Sequence, residues 1–403
     1  MRAVIGKLLP AFLAVALLGL AFLTTPLIEI NQGFDADGRM YGAMAGSDQF
    51  PASFARQAPW SYRILTPYLA SLLPWSTLQN FRVVAYASEA LSLLLLSQIL
   101  RKLGFSTGFC LLGMLFYAGD FWTLKFAAYS PAYVDHQTGT FLLSIVYLTL
   151  ARQYLALVPV LALAALQKES LAVFALFPAF QLLRERQFRG DARTLSLVAA
   201  LVAAPLASAV LVRVLVPVDN AYDAGSVVLH ELSRWMNPRF WVGIAQATLT
   251  GLGVLPVVLL VRYREWLRFL RANPEWTLYL AISLILLFGG TDKSRLYGYA
   301  LPLVIVLGLH ALASLQAAAE PRRFAVWLCA VLLVHAFVGD WLTPMGSYDD
   351  YLARMVPEVA GARSIPFVIR NCVIAVGLFA LTPWVLLGEW RFERASGFAA
   401  SPP

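Results

Sequence analysis

The chain has 403 residues, 60% of them hydrophobic and only 13% charged, with a mean hydropathy of +0.69 and a formal net charge of +8. Soluble domains carry about 25% charged residues, so the composition argues against a soluble core, and apolar runs of about 18 residues or more recur along the whole length. The basic residues are scattered between apolar segments, which argues against nucleic-acid binding; Cys110, Cys329 and Cys372 all fall inside apolar runs, so no disulfide or zinc framework is expected.

The first apolar run, Leu8 to Ile30, follows Arg2 and Lys7. It is too long for a signal-peptide core and lacks a small-residue cleavage site, so it reads as a retained anchor with a cytoplasmic N-terminus. The loop that follows begins "NQGFDADGRMYGAMA". Asp35 and Asp37 lie two apart in it. They read as a solvated turn between Gly33 and Gly38, as a base near the membrane surface for an incoming hydroxyl, or as oxygen ligands for a divalent cation. Next comes "PWSYRILTPYLASLLPW", with Trp60, Tyr62, Tyr68 and Trp75 at headgroup level. It reads as a short interfacial helix, with Arg63 near its start to meet a lipid headgroup or a ligand phosphate.

Further spans are expected at about 79–100, 105–119, 132–151, 194–216, 239–261, 276–290, 297–316, 324–343 and 366–388. The whole chain, 1–403, then forms one all-α integral membrane domain of about ten full spans, with no sizeable soluble domain and only a short low-complexity tail, "ASGFAASPP". The connections "RKLG", "ARQY", "RERQFRGDAR", "RYREWLRFLR", "EPRR" and "EWRFER" are the most basic, and the positive-inside rule puts them, and both termini, in the cytoplasm. On the opposite side, "FWTLKFAAYSPAYVDHQTG" places Asp135 and His136 at the mouth of a span. Asp135 is favoured, because a helix N-terminus favours an acid.

That register needs residues 154 to 183 to leave from and return to the cytoplasm as two short half-helices. Tyr154 to Leu166 makes about 20 Å of helix against a hydrocarbon core of about 30 Å. The turn between them is "QKES", and charges at that depth cost about 2.5–3.5 kcal/mol each on insertion scales. Lys168 and Glu169 either neutralise each other or mark a wet cavity where the lysine meets an anion. The late connection "FGGTDKSRLYGYALP" adds Asp292, Lys293 and Arg295; guanidinium suits phosphate, so Arg295 is the strongest candidate there. Lys125, Lys168, Arg213, Lys293 and Arg295 all sit on the side where basic residues are disfavoured, and an anionic phosphate ligand would offset them. Glu89, His310 and His335 read as polar residues of the bundle interior.

An acid just after the first span, a second acidic outer loop, paired short helices and an outer "TDKSRLYGYALP" together resemble the GT-C superfamily of polytopic glycosyltransferases that use polyprenyl-phosphate sugars. "PWSYRILTPYLA" and "ALQKES" are similar to segments of bacterial members. The resemblance covers most of the chain as a layout and four short stretches as sequence. It implies a GT-C-like bundle in the bacterial inner membrane. Asp35 or Asp37 would be the general base and Asp135 the second-loop acid. Lys168 and Arg295 would contact the donor phosphate, with Lys293 and Arg63 as further candidates and Glu169, Asp292 and His136 in support. The resemblance fixes no cofactor, and Asp35 and Asp37 could hold a divalent cation. The expected partners are a polyprenyl-phosphate sugar, the lipid bilayer and a cell-envelope glycan, lipid or protein acceptor, and no nucleic acid. Many members carry a large C-terminal soluble domain; this sequence shows none, which argues against an oligosaccharyltransferase role. The rival expectations are a transporter or flippase of an anionic lipid-linked substrate, and a non-catalytic assembly subunit.

Overall fold

Lipid offers no water to backbone amides, so a chain this apolar must satisfy them within its own segments. The structure is a computed structural model describing residues 2–220, 222–236, 238–290, 292–342, 347–356 and 360–396, and among these it is helical without any strand. Residues 397–403 of the low-complexity tail lie outside the described range.

Helix α1 (Arg2–Thr24) ends before Pro26. The chain then reverses through three consecutive left-handed residues, Asn31 (φ 46°), Gln32 (φ 55°) and Gly33 (φ 98°). Glycine is required at the last: a Cβ there would lie 2.7 Å from Leu27 Cδ2. This turn delivers Asp35 to the start of α2 (Ala36–Met44). Helix α3 (Leu65–Ser71) follows, then α4 (Thr77–Lys102), α5 (Thr107–Gly119), α6 (Phe126–Tyr129) and α7 (Asp135–Leu150). Helix α8 (Tyr154–Gln167) meets a 3-10 segment, Glu169–Ala175, that leads into α9 (Leu176–Glu185). Lys168 is the extended residue at that junction (φ −160°, ψ 124°).

The second half contains α10 (Ala192–Leu215), α11 (Ala224–Trp235), α12 (Pro238–Leu252), α13 (Leu255–Val261), α14 (Tyr263–Ala272) and α15 (Pro274–Leu286). Then come α16 (Lys293–Leu296), α17 (Leu301–Ala318), α18 (Pro321–Val338), α19 (Tyr348–Met355) and α20 (Ile365–Ser396). Helix α17 is the centre, 67% buried and packed against α5, α13 and α14. By contrast α10 is only 22% buried, although its mean hydropathy is 2.4. An apolar helix that leaves most of its surface outside the bundle is a lipid-facing helix.

About ten spans is too many. Among the described residues five helices are long and apolar enough to cross: α4, α10, α17, α18 and the stretch Gly361–Thr382. Counting each of two sharply bent pairs as one span gives up to seven among those residues. The expected span 239–261 breaks by 95° between α12 and α13. Gly253 (φ +57°) makes that break, and a Cβ there would lie 2.0 Å from the His335 Nδ1. A second break, of 110°, separates α14 from α15 at Asn273. Helix α5, with 13 residues, and α7, with 16, reach only about 20 and 24 Å at 1.5 Å per residue.

Candidate functional site

Four segments far apart in sequence meet at one end of the bundle: the start of α2, the start of α7, the junction after α8, and α16. Asp35 caps α2, its side chain accepting from the Ala36 amide and, at 3.1 Å, from the Tyr348 hydroxyl. It is only 2% exposed. Burial pushes its carboxyl above the usual value of 3.8, partly opposed by hydrogen bonds from Ala36, Tyr133 and Tyr348 and by the Arg295 charge.

Asp37 lies half a turn on and faces the other way. Its Oδ2 accepts from Arg295 Nη1 at 3.2 Å. The same Nη1 is 3.6 Å from Asp135 Oδ2, and Arg295 Nε is 2.7 Å from Asp292 Oδ2. The guanidinium also sits 4.9 Å from the centre of the Tyr133 ring. Asp135, in the first turn of α7, accepts from Lys168 Nζ at 2.7 Å. Lys168 stands 5.4 Å from the centre of the Tyr299 ring, and the Tyr299 hydroxyl bonds Ser170. Glu169 takes Arg63 through Nε at 3.3 Å and Nη2 at 3.1 Å, while Arg63 Nη1 donates to the Tyr41 hydroxyl at 3.0 Å.

The seven charged side chains Asp37, Arg63, Asp135, Lys168, Glu169, Asp292 and Arg295 are between 12% and 23% exposed. They are screened from bulk water without being sealed from it, which strengthens each ion pair. A cavity of about 40 Å³ lies between Asp135, Arg295 and Tyr299 at one end and Glu89 and Tyr117 at the other. It has room for a water or two.

Asp35, Asp37, Asp135, Lys168, Glu169, Asp292, Arg295 and Arg63 are thus brought together. The pairing is not the expected one. Lys168 and Glu169 do not neutralise each other: Lys168 goes to Asp135 and Glu169 to Arg63. The extended backbone at Lys168 explains this, because it turns adjacent side chains to opposite sides. Lys293 does not belong to the cluster. It is fully buried, 2.7 Å from Glu231 Oε2 and bonded to the Leu287 and Gly290 carbonyls. His136 also faces elsewhere, with Nδ1 3.5 Å from Glu89 and Nε2 3.2 Å from the Ser130 carbonyl oxygen.

The need for an external anion is reduced as well. Arg63, Lys168 and Arg295 face four carboxylates, Asp37, Asp135, Glu169 and Asp292, so the cluster balances its own cations. Lys125 is paired with Asp340, and Arg213 bonds its own helix at Ala209 and covers the Tyr62 ring. Asp35 and Asp37 fit a divalent cation poorly, one being a helix cap and the other an arginine partner. Among the described residues no three His, Cys, Asp or Glu side chains are gathered to hold a metal ion.

Sequence reasoning passed over the tyrosines. Tyr41, Tyr133, Tyr299 and Tyr348 each touch a charged member of the cluster. The available signal was their density beside the acids, in "YSPAYVD", "RLYGY" and "GSYDDY". Comparison with known proteins returns no match: no family model fits the sequence, no curated protein is similar to it, and no solved structure is similar to its fold.

Proposed function

We propose that the chain is a membrane glycosyltransferase that moves a sugar from a polyprenyl-phosphate donor to a hydroxyl of a cell-envelope acceptor, on the outer face of a bacterial inner membrane. One observation carries the reading. Asp37, Asp135, Lys168 and Arg295, spread over more than 250 residues of chain, form one continuous ion-pair chain at one end of the bundle. Acids beside a shielded guanidinium and ammonium supply both a proton acceptor and a phosphate clamp.

The proposed order of events follows from the charge balance. A donor phosphate adds negative charge to a cluster that already holds four carboxylates against three cations. It therefore takes Arg295 Nη1 from Asp37, while Asp135 keeps Lys168 and Arg295 in place. Asp37, released from Arg295, accepts the proton of the acceptor hydroxyl. The hydroxyl oxygen bonds to the anomeric carbon, and the carbon–phosphate-oxygen bond breaks with its electron pair leaving on polyprenyl phosphate. Lys168 and Arg295 stabilise the charge that grows there. A single displacement inverts the anomeric centre. Asp37 is preferred over Asp35 as base, because Asp35 is occupied as a helix cap and by Tyr348.

Detergent-purified protein supplied with a polyprenyl-phosphate sugar tests this. Asp37→Asn should lower turnover by about a hundredfold or more, the scale of general-base catalysis, and Asp35→Asn should keep most of it. Full turnover by Asp37→Asn would remove that acid from the mechanism. A second reading, a transporter or flippase of an anionic lipid-linked substrate, is favoured by the helix interruption at Lys168. It predicts movement of the lipid-linked sugar across the bilayer with the sugar–phosphate bond intact.

A further inference from the structure

The helix that ends at Lys168 begins at a second, larger cavity. Helix α8 has 14 residues, so this cavity lies about 21 Å from the charged cluster at 1.5 Å per residue, beside the basic connection 184–193 that the positive-inside rule assigns to the cytoplasmic side. Its volume is about 860 Å³, within the range of about 300–1,000 Å³ usual for small-molecule sites. Arg152, Tyr154, Leu182, Arg186, Arg193 and Leu197 line it.

Its acids are already engaged. Glu185 pairs with Arg152 at 3.1 Å and accepts from Gln181 at 3.1 Å. Asp191 caps α10 through the Thr194 amide at 2.8 Å and hydroxyl at 2.9 Å. Among the described residues Arg186 and Arg193 have no side-chain hydrogen bond or ion pair, although both face the cavity. Tyr154 supplies an independent sign. Tyr154 lines the cavity and is 7% exposed, and its hydroxyl makes no hydrogen bond of good geometry, although the Glu185 carboxylate lies beside it. A buried tyrosine hydroxyl normally finds one. The first turns of α8 and α10 also open onto the cavity, adding the positive ends of two helix dipoles. Leu155 on its rim is 75% exposed, and Leu195 in the first turn of α10 is 50% exposed.

Two exposed arginines without a side-chain partner, beside an apolar rim, fit an amphipathic anion. We infer that this cavity binds the phosphate-bearing headgroup of an anionic phospholipid from the leaflet opposite the charged cluster, with Arg186, Arg193 and the Tyr154 hydroxyl on the phosphate and the acyl chains along Leu155. The inference does not depend on the glycosyltransferase reading.

The test uses the full chain in detergent and three probes: phosphatidylglycerol, phosphatidylcholine with the same acyl chains, and glycerol phosphate. Thermal unfolding is followed against the concentration of each. Phosphatidylglycerol should raise the midpoint saturably, phosphatidylcholine should not, and glycerol phosphate should bind more weakly than the lipid. Arg186→Gln with Arg193→Gln should weaken phosphatidylglycerol by about tenfold or more, as expected for charge-assisted contacts. Tyr154→Phe, which removes one oxygen and keeps the ring, should weaken it by a smaller factor and serves if the double variant does not fold. Equal stabilisation by phosphatidylcholine, or unchanged affinity in the variants, overturns the site. Glycerol phosphate binding as tightly as the lipid would overturn the lipid source in favour of a soluble phosphate compound.

Discussion

At the scale of single residues, the cluster separates acids by what already holds them. Asp35 is buried and its carboxyl is raised above 3.8, so folding favours its protonated form. The stability it contributes is whole below the unfolded value and is lost as pH rises through the raised one. Asparagine keeps the helix cap. Asp35→Asn should therefore melt close to the wild type near pH 4 and above it at higher pH. Melting curves in detergent across that range check this; parallel curves at every pH would show that Asp35 does not titrate there. Arg63 and Lys168 make a second contrast. Arg63 is the ion-pair partner of Glu169, so Arg63→Met strands a shielded carboxylate and should cost about 3–5 kcal/mol. Adding Glu169→Gln should recover most of that loss. Lys168→Met should cost less, because Asp135 keeps Arg295 at 3.6 Å. Equal losses in the two single variants would contradict the pairing described.

At the scale of elements, the sequence made the acids and cations of the cluster readable because each sits where an apolar run stops, and a charge there is conspicuous. The two short helices around "QKES" were readable from length alone. The partners were not, since a chain reversal such as Asn31–Gly33 or an extended residue such as Lys168 decides which way neighbouring side chains face. Lys293 shows the cost of reading by position. It lies two residues from Arg295, yet it turns into the protein to meet Glu231 on α11. The breaks were missed because hydropathy is blind to backbone angle: 239–261 is predominantly apolar, and its bend falls at Gly253 with φ +57°. Gly253→Ala should sharply reduce folded yield, since its Cβ would lie 2.0 Å from His335 Nδ1. Adding His335→Ala removes the clash and leaves the left-handed strain of about 1–2 kcal/mol, so partial recovery is expected. No recovery would mean that the His335 bond to the Phe116 carbonyl oxygen matters more than the clash.

At the scale of the whole molecule, the charged cluster and the arginine-lined cavity occupy opposite ends of α8, and the positive-inside reading of the sequence expects them to be reached from opposite sides of the membrane. With the native cysteines replaced, Asp48→Cys and Gln187→Cys, both at exposed positions, should react with an impermeant thiol reagent from opposite sides of intact vesicles. Labelling of both from one side would break this placement. Arg295 has a further consequence, for biosynthesis. It links carboxylates at positions 37, 135 and 292, and the chain is made from its N-terminus. Until residue 295 leaves the ribosome, Asp37 has no guanidinium and Asp135 has only Lys168. The first two-thirds of the protein must therefore wait in the bilayer with acids not yet matched, and late insertion of one short helix completes them. A nascent chain halted before residue 293 should be a better substrate for membrane proteases than one halted after α17, although the two differ by few spans.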